Sequence, residues 1–180
     1  QEKLMRKKDW RPPVFWVTKG AKNVAKGKPV ISNKTPMGTG KLTAVTDGKI
    51  ACDTLEKVFM LTDDAAEGYG DDEIPSVTVD LGKEYKVEGV CVWHNYQRPI
   101  VYEGVVVLVS TDKDFPNDPA KTKIVYNNDY NDDVELGAGK NELFPASMMG
   151  EMVRVGKPGT GRKVRYVRVY TYGVLNDFSS

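Results

Sequence analysis

The ten residues Trp93-His94-Asn95-Tyr96-Gln97-Arg98-Pro99-Ile100-Val101-Tyr102 bring an imidazole, amides, a guanidinium and several aromatic rings into one short stretch. Aromatic faces pack on the apolar C–H side of a pyranose ring, and Asn, Arg and His reach its hydroxyls with directed hydrogen bonds. Sugar recognition needs that mixture, so His94, Asn95, Tyr96 and Arg98 are candidate ligand contacts. Tyr69, between glycines in Glu67-Gly68-Tyr69-Gly70-Asp71, is a further candidate. The same residues also admit a plainer reading, with Trp93 and Tyr102 in the core, His94 satisfied internally, Arg98 on the surface and Tyr69 at a loop tip.

Catalytic patterns find less support. His94 is the only histidine, and neither Ser nor Cys adjoins it in a nucleophile elbow. A zinc site would lack its second His or a Cys pair. Carboxylates are plentiful enough for a glycosidase, but their order along the chain selects no pair. Gly156-Lys-Pro-Gly-Thr-Gly161-Arg162-Lys163 misses the phosphate-binding loop at its Lys and Ser/Thr positions and reads as a hairpin connection. Asp129-Tyr-Asn-Asp-Asp133 begins like a calcium loop, yet Val134 stands where glycine is required and Lys140 where glutamate is. An enzymatic role ranks last.

These residues belong to a chain of 180, with 26 Lys+Arg against 25 Asp+Glu and a formal net charge of +1. Binding nucleic acid through bulk charge needs a basic surplus, so that class is set aside. The charge is uneven along the chain: residues 1–28 are basic, 63–64, 71–73 and 129–135 acidic, and 154–168 basic again. No run of about 18 apolar residues offers a membrane span. A chain that begins at Gln1 reads as a processed or excised piece, any export signal having been removed. Cys52 and Cys91 are its only thiols, and two cysteines leave both a disulfide and free thiols open.

Short β-branched runs between turn residues dominate the pattern. Strands are expected over Val77–Leu81, Val87–Trp93, Tyr102–Ser110, Lys123–Tyr126, Val153–Val155 and Val164–Tyr172, with a turn at Gly82–Tyr85. Tyr102–Ser110 is nearly all apolar, as for a strand covered on both faces. In the last strand Val167, Val169 and Thr171 share one face and Tyr166, Arg168, Tyr170 and Tyr172 the other. Short helices are candidates at 55–61, capped by Asp53 or Thr54, and more weakly at 147–152. The pattern is that of an all-β sandwich or barrel, one domain over 21–180 preceded by a loosely held basic arm over 1–20.

Several segments, in order, resemble the discoidin-like domains, also called coagulation factor 5/8 type C domains, of the galactose-binding-like superfamily. They are Asn23–Val30, Thr46-Asp47-Gly48, Val77–Val90 with Asp80-Leu81-Gly82, Val105–Phe115 with Ser110-Thr111-Asp112, and Val164–Tyr170 with Arg165-Tyr166-Val167-Arg168. The resemblance extends to the bacterial family 32 carbohydrate-binding modules. It implies an antiparallel eight-stranded jelly-roll sandwich with at most one or two short helices. It also implies a non-catalytic module of a secreted or cell-surface bacterial protein that takes a glycan or polysaccharide at loops on one end. A structural Ca²⁺ near Asp47 is implied too. The tail Tyr172–Ser180 departs from the family's metal-site glutamate segment, and Lys49–Cys52 replaces a Trp that often follows the Asp-Gly loop. The alternative expectation is a protein-interaction or scaffolding module joined to other domains of a larger protein. A third is membrane-surface binding, for which the loops show no apolar spike.

Overall fold

The computed structural model describes residues 16–34, 41–49, 74–94, 101–157 and 159–174. Alternating, valine-rich segments form eight strands there: β1 Val30–Ser32, β2 Ser76–Val87, β3 Gly89–Val92, β4 Val101–Ser110, β5 Thr122–Asn127, β6 Phe144–Pro145, β7 Glu151–Arg154 and β8 Arg162–Val174. One sheet runs β1-β2-β8-β4-β5, with β6 attached to β4, and a second pairs β3 with β7. Every pairing is antiparallel. A 3-10 turn at Leu42–Val45 is the one helical element among the described residues.

The two sheets enclose a valine core. Val105, Val107 and Val109 of β4 meet Val79, Val87, Val153, Val164 and Val167, with Phe144 at one end. Val106 and Leu108, on the opposite face of β4, are covered by Val134, Ile74, Phe115, Leu136 and Tyr170. β4 is thus sealed on both sides, as its sequence predicts, at about 1.5–3 kcal/mol for each large apolar side chain removed from water. Val167 and Val169 face this core while Tyr170 faces the second cluster, as the alternation in β8 requires.

Three expectations need correction. The turn expected at Gly82–Tyr85 is a bulge inside one long strand: β2 keeps pairing with β8, and the register slips between Asp80 and Tyr85. Asp80 causes it locally, accepting the Gly82 N–H at 2.7 Å while Gly82 takes φ +86, a value suited to glycine. Arg165 then grips both oxygens of Asp80 at 3.0 and 3.2 Å. That guanidinium holds the Asp80 carboxyl below its ordinary range. The slip also lets Val164 and Val167, of opposite parity on β8, both enter the core.

The helix expected at 147–152 is a turn leading into β7. Gly150 donates to the Ser147 carbonyl at 3.0 Å and sits at φ +70, which ends any helical course. The Gly156–Lys163 stretch is no hairpin either, because β7 and β8 lie in different sheets and it carries the chain between them. The helix expected at 55–61 falls outside the described residues.

Behind β4, the loop after β5 is fastened by one side chain. The buried Asn128 amide accepts the Val105 N–H at 2.7 Å and donates to the carbonyls of Tyr102 and Glu142 at 3.2 and 2.9 Å. Beside it the buried Asp129 carboxylate accepts the N–H groups of Asp133 and Val134 at 3.1 and 2.8 Å. The stretch that began like a calcium loop is therefore folded around its own backbone donors. Replacing Asn128 by Ala leaves the buried Val105 N–H and the part-buried carbonyls of Tyr102 and Glu142 without this partner, at about 1–3 kcal/mol for a group unpaired away from water. We expect Asn128→Ala to lower the urea unfolding free energy by about 3 kcal/mol or more, and a loss below about 1 kcal/mol would refute this role for the amide.

Candidate functional site

His94, the first of the candidate contacts, lies at the sandwich end where β3 stops and β4 begins. Of these residues, the structure describes His94, and Asp47 at the metal loop. Asn95, Tyr96, Arg98 and Tyr69 lie outside the described residues.

His94 follows β3 directly and turns inward. Its ring stacks on Tyr102 at 4.1 Å between centroids and meets Phe144 edge-on at 5.3 Å. Nε2 lies 3.0 Å from the Thr171 hydroxyl of β8. Nδ1 is shut off from solvent with no hydrogen-bond partner among the described residues. Desolvation pushes the imidazole pKa down to about 4, so the ring is neutral at ordinary pH. His94 therefore ties β3, β4, β6 and β8 together immediately before residues 95–100.

Trp93 points the other way, with 43% of its surface exposed. The plainer reading placed it in the core, but beyond the end of β3 at Val92 it is His94, not Trp93, that packs inward. Gly150 creates the space beside it. A Cβ there would stand 2.6 Å from the indole and 2.8 Å from the Cys91 sulfur, so only glycine fits that turn. Met148, Met149 and Met152 are also exposed near this corner. Cys91 is a free thiol, and burial, with the Glu151 charge, pushes its pKa up to about 11. Its potential partner Cys52 lies outside the described residues.

Asp47 sits apart from this end. Its Oδ1 accepts the Lys49 N–H at 2.7 Å. Two further bonds join its loop to the segment before β1, Gly27 N–H to the Thr46 carbonyl at 2.6 Å and the Thr46 hydroxyl to the Lys28 carbonyl at 2.8 Å. The Lys26 stem lies over Gly48, 3.0 Å from where a Cβ would be. A carboxylate and backbone carbonyls are the hard oxygen donors that calcium takes, whereas Lys26, Lys28 and Lys49 in the same two segments oppose a cation. Among the described residues no three His, Cys, Asp or Glu side chains cluster closely enough to hold a metal ion.

Comparison with solved structures decides the fold. The chain superposes on CpGH89CBM32-4 of Clostridium perfringens, solved in complex with GlcNAc-α-1,4-galactose, with a TM-score of 0.55. The match covers 93% of this chain and 90% of that one at 13% identity. The chain has the discoidin-like β-sandwich fold. The family 32 carbohydrate-binding module of C. perfringens NanJ, in complex with galactose, shares this fold at TM-score 0.52 and 10% identity, over 83% of this chain and 85% of that one. A family 89 glycoside hydrolase of the same organism matches at TM-score 0.52 and 14% identity, over 86% of this chain but only 13% of its own. No protein-family model and no curated protein matches the sequence.

The discoidin-like fold accounts for the motifs that carried the resemblance. Asp80-Leu81-Gly82 forms the bulge, and Arg165 of the last strand grips it. His94 leaves a pH signature. Its folded pKa lies below the ordinary histidine value of about 6.5, so below that pH the unfolded chain takes up a proton that the native ring refuses. The stabilisation is complete above pH 6.5 and is lost as pH falls toward 4, a change of roughly 3 kcal/mol. Thermal melts from pH 7 to pH 4 should show this fall in the wild type and a shallower one in His94→Gln; parallel curves would contradict it.

Proposed function

We propose that the protein is a non-catalytic glycan-binding module of a secreted or cell-surface bacterial protein, reading its ligand at the loops beyond β3. The observation that carries the proposal is Trp93, an indole held 43% exposed at that end by the glycine turn at 150. Such a face suits the apolar side of a sugar ring. The sequence predicted His94 as a contact, but its inward stack on Tyr102 and its bond to Thr171 leave it a positioning residue; we assign Asn95, Tyr96, Arg98 and Tyr69 to ligand recognition. The complexes of the neighbouring structures with galactose-containing saccharides support this reading. Few atoms meet a shallow site of this kind, so the affinity for one or two sugar rings is weak.

A glycan array followed by calorimetric titration tests the proposal. Trp93→Ala should weaken binding of the best saccharide about tenfold, equal to about 1.4 kcal/mol, without changing the circular dichroism of the fold. A silent array with folded wild-type protein, or unchanged affinity in the variant, would count against it.

A second reading, a protein-interaction module joined to other domains, is favoured by the exposed Met148, Met149 and Met152 beside Trp93. Methionine-bearing surfaces adapt to partners. Retained glycan binding in a Met148→Gln/Met149→Gln variant separates the two readings.

Calcium is proposed for the Asp47 loop, where the carboxylate and neighbouring carbonyls would hold it and cross-link the segment before β1. At about a hundredfold excess over its Kd, calcium added after chelation should raise the melting temperature by roughly 5 °C or more. Asp47→Ala should abolish the rise, and a wild-type melt indifferent to calcium would refute the site.

A further inference from the structure

The slip between β2 and β8 also shapes the far end of the sandwich. Lys163, at the start of β8, stands eight residues from Thr171, the residue that meets His94. At ~3.3 Å per residue the two are roughly 26 Å apart. Around Lys163, an open cleft of 560 Å³ is lined by Glu84, Tyr85, Lys86, Thr160 and Gly161. Gly161 brings the backbones together there, since a Cβ would stand 2.8 Å from the Val87 carbonyl oxygen. The ammoniums of Lys28 and Lys83 lie 6.0 and 5.4 Å from the Tyr85 ring centroid, which holds both beside the cleft. The Lys28 ammonium also lies over Gly82, at 3.6 Å from where a Cβ would be.

Lys86 and Lys163 thus line the cleft, Lys28 and Lys83 lie against its Tyr85 ring, and the one carboxylate in the lining, Glu84, is 3.7 Å from the Lys163 ammonium. The nearby guanidiniums are engaged elsewhere. Arg165 holds Asp80, and Arg162 donates to the carbonyls of Pro119 and Ala120 at 2.7 and 2.9 Å. A phosphate site would favour a guanidinium fork, whereas ammoniums act as point charges. Glu84 in the middle repels a densely charged polyanion and accepts hydrogen bonds from hydroxyls, as the Thr160 oxygen can. We infer that this cleft is a second saccharide site, separate from the Trp93 end, that takes an acidic polysaccharide carrying about one carboxylate per sugar ring.

Affinity electrophoresis and titration against polygalacturonate, with neutral dextran as control, test the site. The wild-type chain should bind polygalacturonate and not dextran at the cleft, with affinity falling at least about tenfold as salt rises, because exposed charges are screened. Lys83→Gln/Lys86→Gln/Lys163→Gln, all at exposed positions, should weaken binding about tenfold or more at unchanged melting temperature. Trp93→Ala should leave it unaltered, so failure of the Trp93 site and failure of this one are told apart. No polygalacturonate binding by the wild type, or full binding by the triple variant, would overturn the inference. Equal binding to duplex DNA or phosphatidylserine vesicles would also overturn it, showing charge attraction without saccharide preference.

Discussion

Strand β4 has no face to give to water. Its residues from Val105 to Val109 are enclosed on alternate sides by two apolar clusters, so a second layer must close over each side of the large sheet. The β3–β7 pair supplies one cover, and the loop after β5 the other. A loop brings no ladder of hydrogen bonds with it, which is why a buried amide and a buried carboxylate must hold it in place. The position of β3, and hence of Trp93 and His94 at its end, follows from the same demand. The Trp93 corner is a by-product of covering the central strand.

Periodicity made the strands legible, and β4 most of all, because an unbroken valine run has few places to go but the middle of a sheet. Local turn chemistry was harder to place. Gly82-Lys83-Glu84-Tyr85 has turn composition, and what keeps it in a strand is Arg165, more than eighty residues away. Met148-Met149-Gly150 has helical side chains, and the positive φ of its glycine overrides them. Around Trp93 and His94, residue types did not give the direction of each side chain. Trp93 and His94 are neighbours with different surroundings, the indole against Gly150 and the imidazole stacked on Tyr102, which no composition reveals.

Net charge misled in a related way. A total of +1 describes the molecule as a whole, while electrostatic attraction is decided within about a Debye length, ~8–10 Å, of a surface point. The acidic loop after β5 and the lysines near Tyr85 occupy different parts of the sandwich, so their cancellation in the sum does not cancel either field locally. Pairing inside the fold shapes the contrast, since Asp80 is bonded through both oxygens to Arg165 while its charge also acts on Lys28.

The half-buried thiol beside the Gly150 turn has a different use. With its pKa at about 11, only roughly one Cys91 in ten thousand is thiolate at pH 7, against a few in a hundred for an exposed cysteine. Its reaction with an alkylating reagent at neutral pH is therefore slow. The fold thus carries its own chemical reporter at the Trp93 corner, one whose already slow labelling a ligand resting there would slow further.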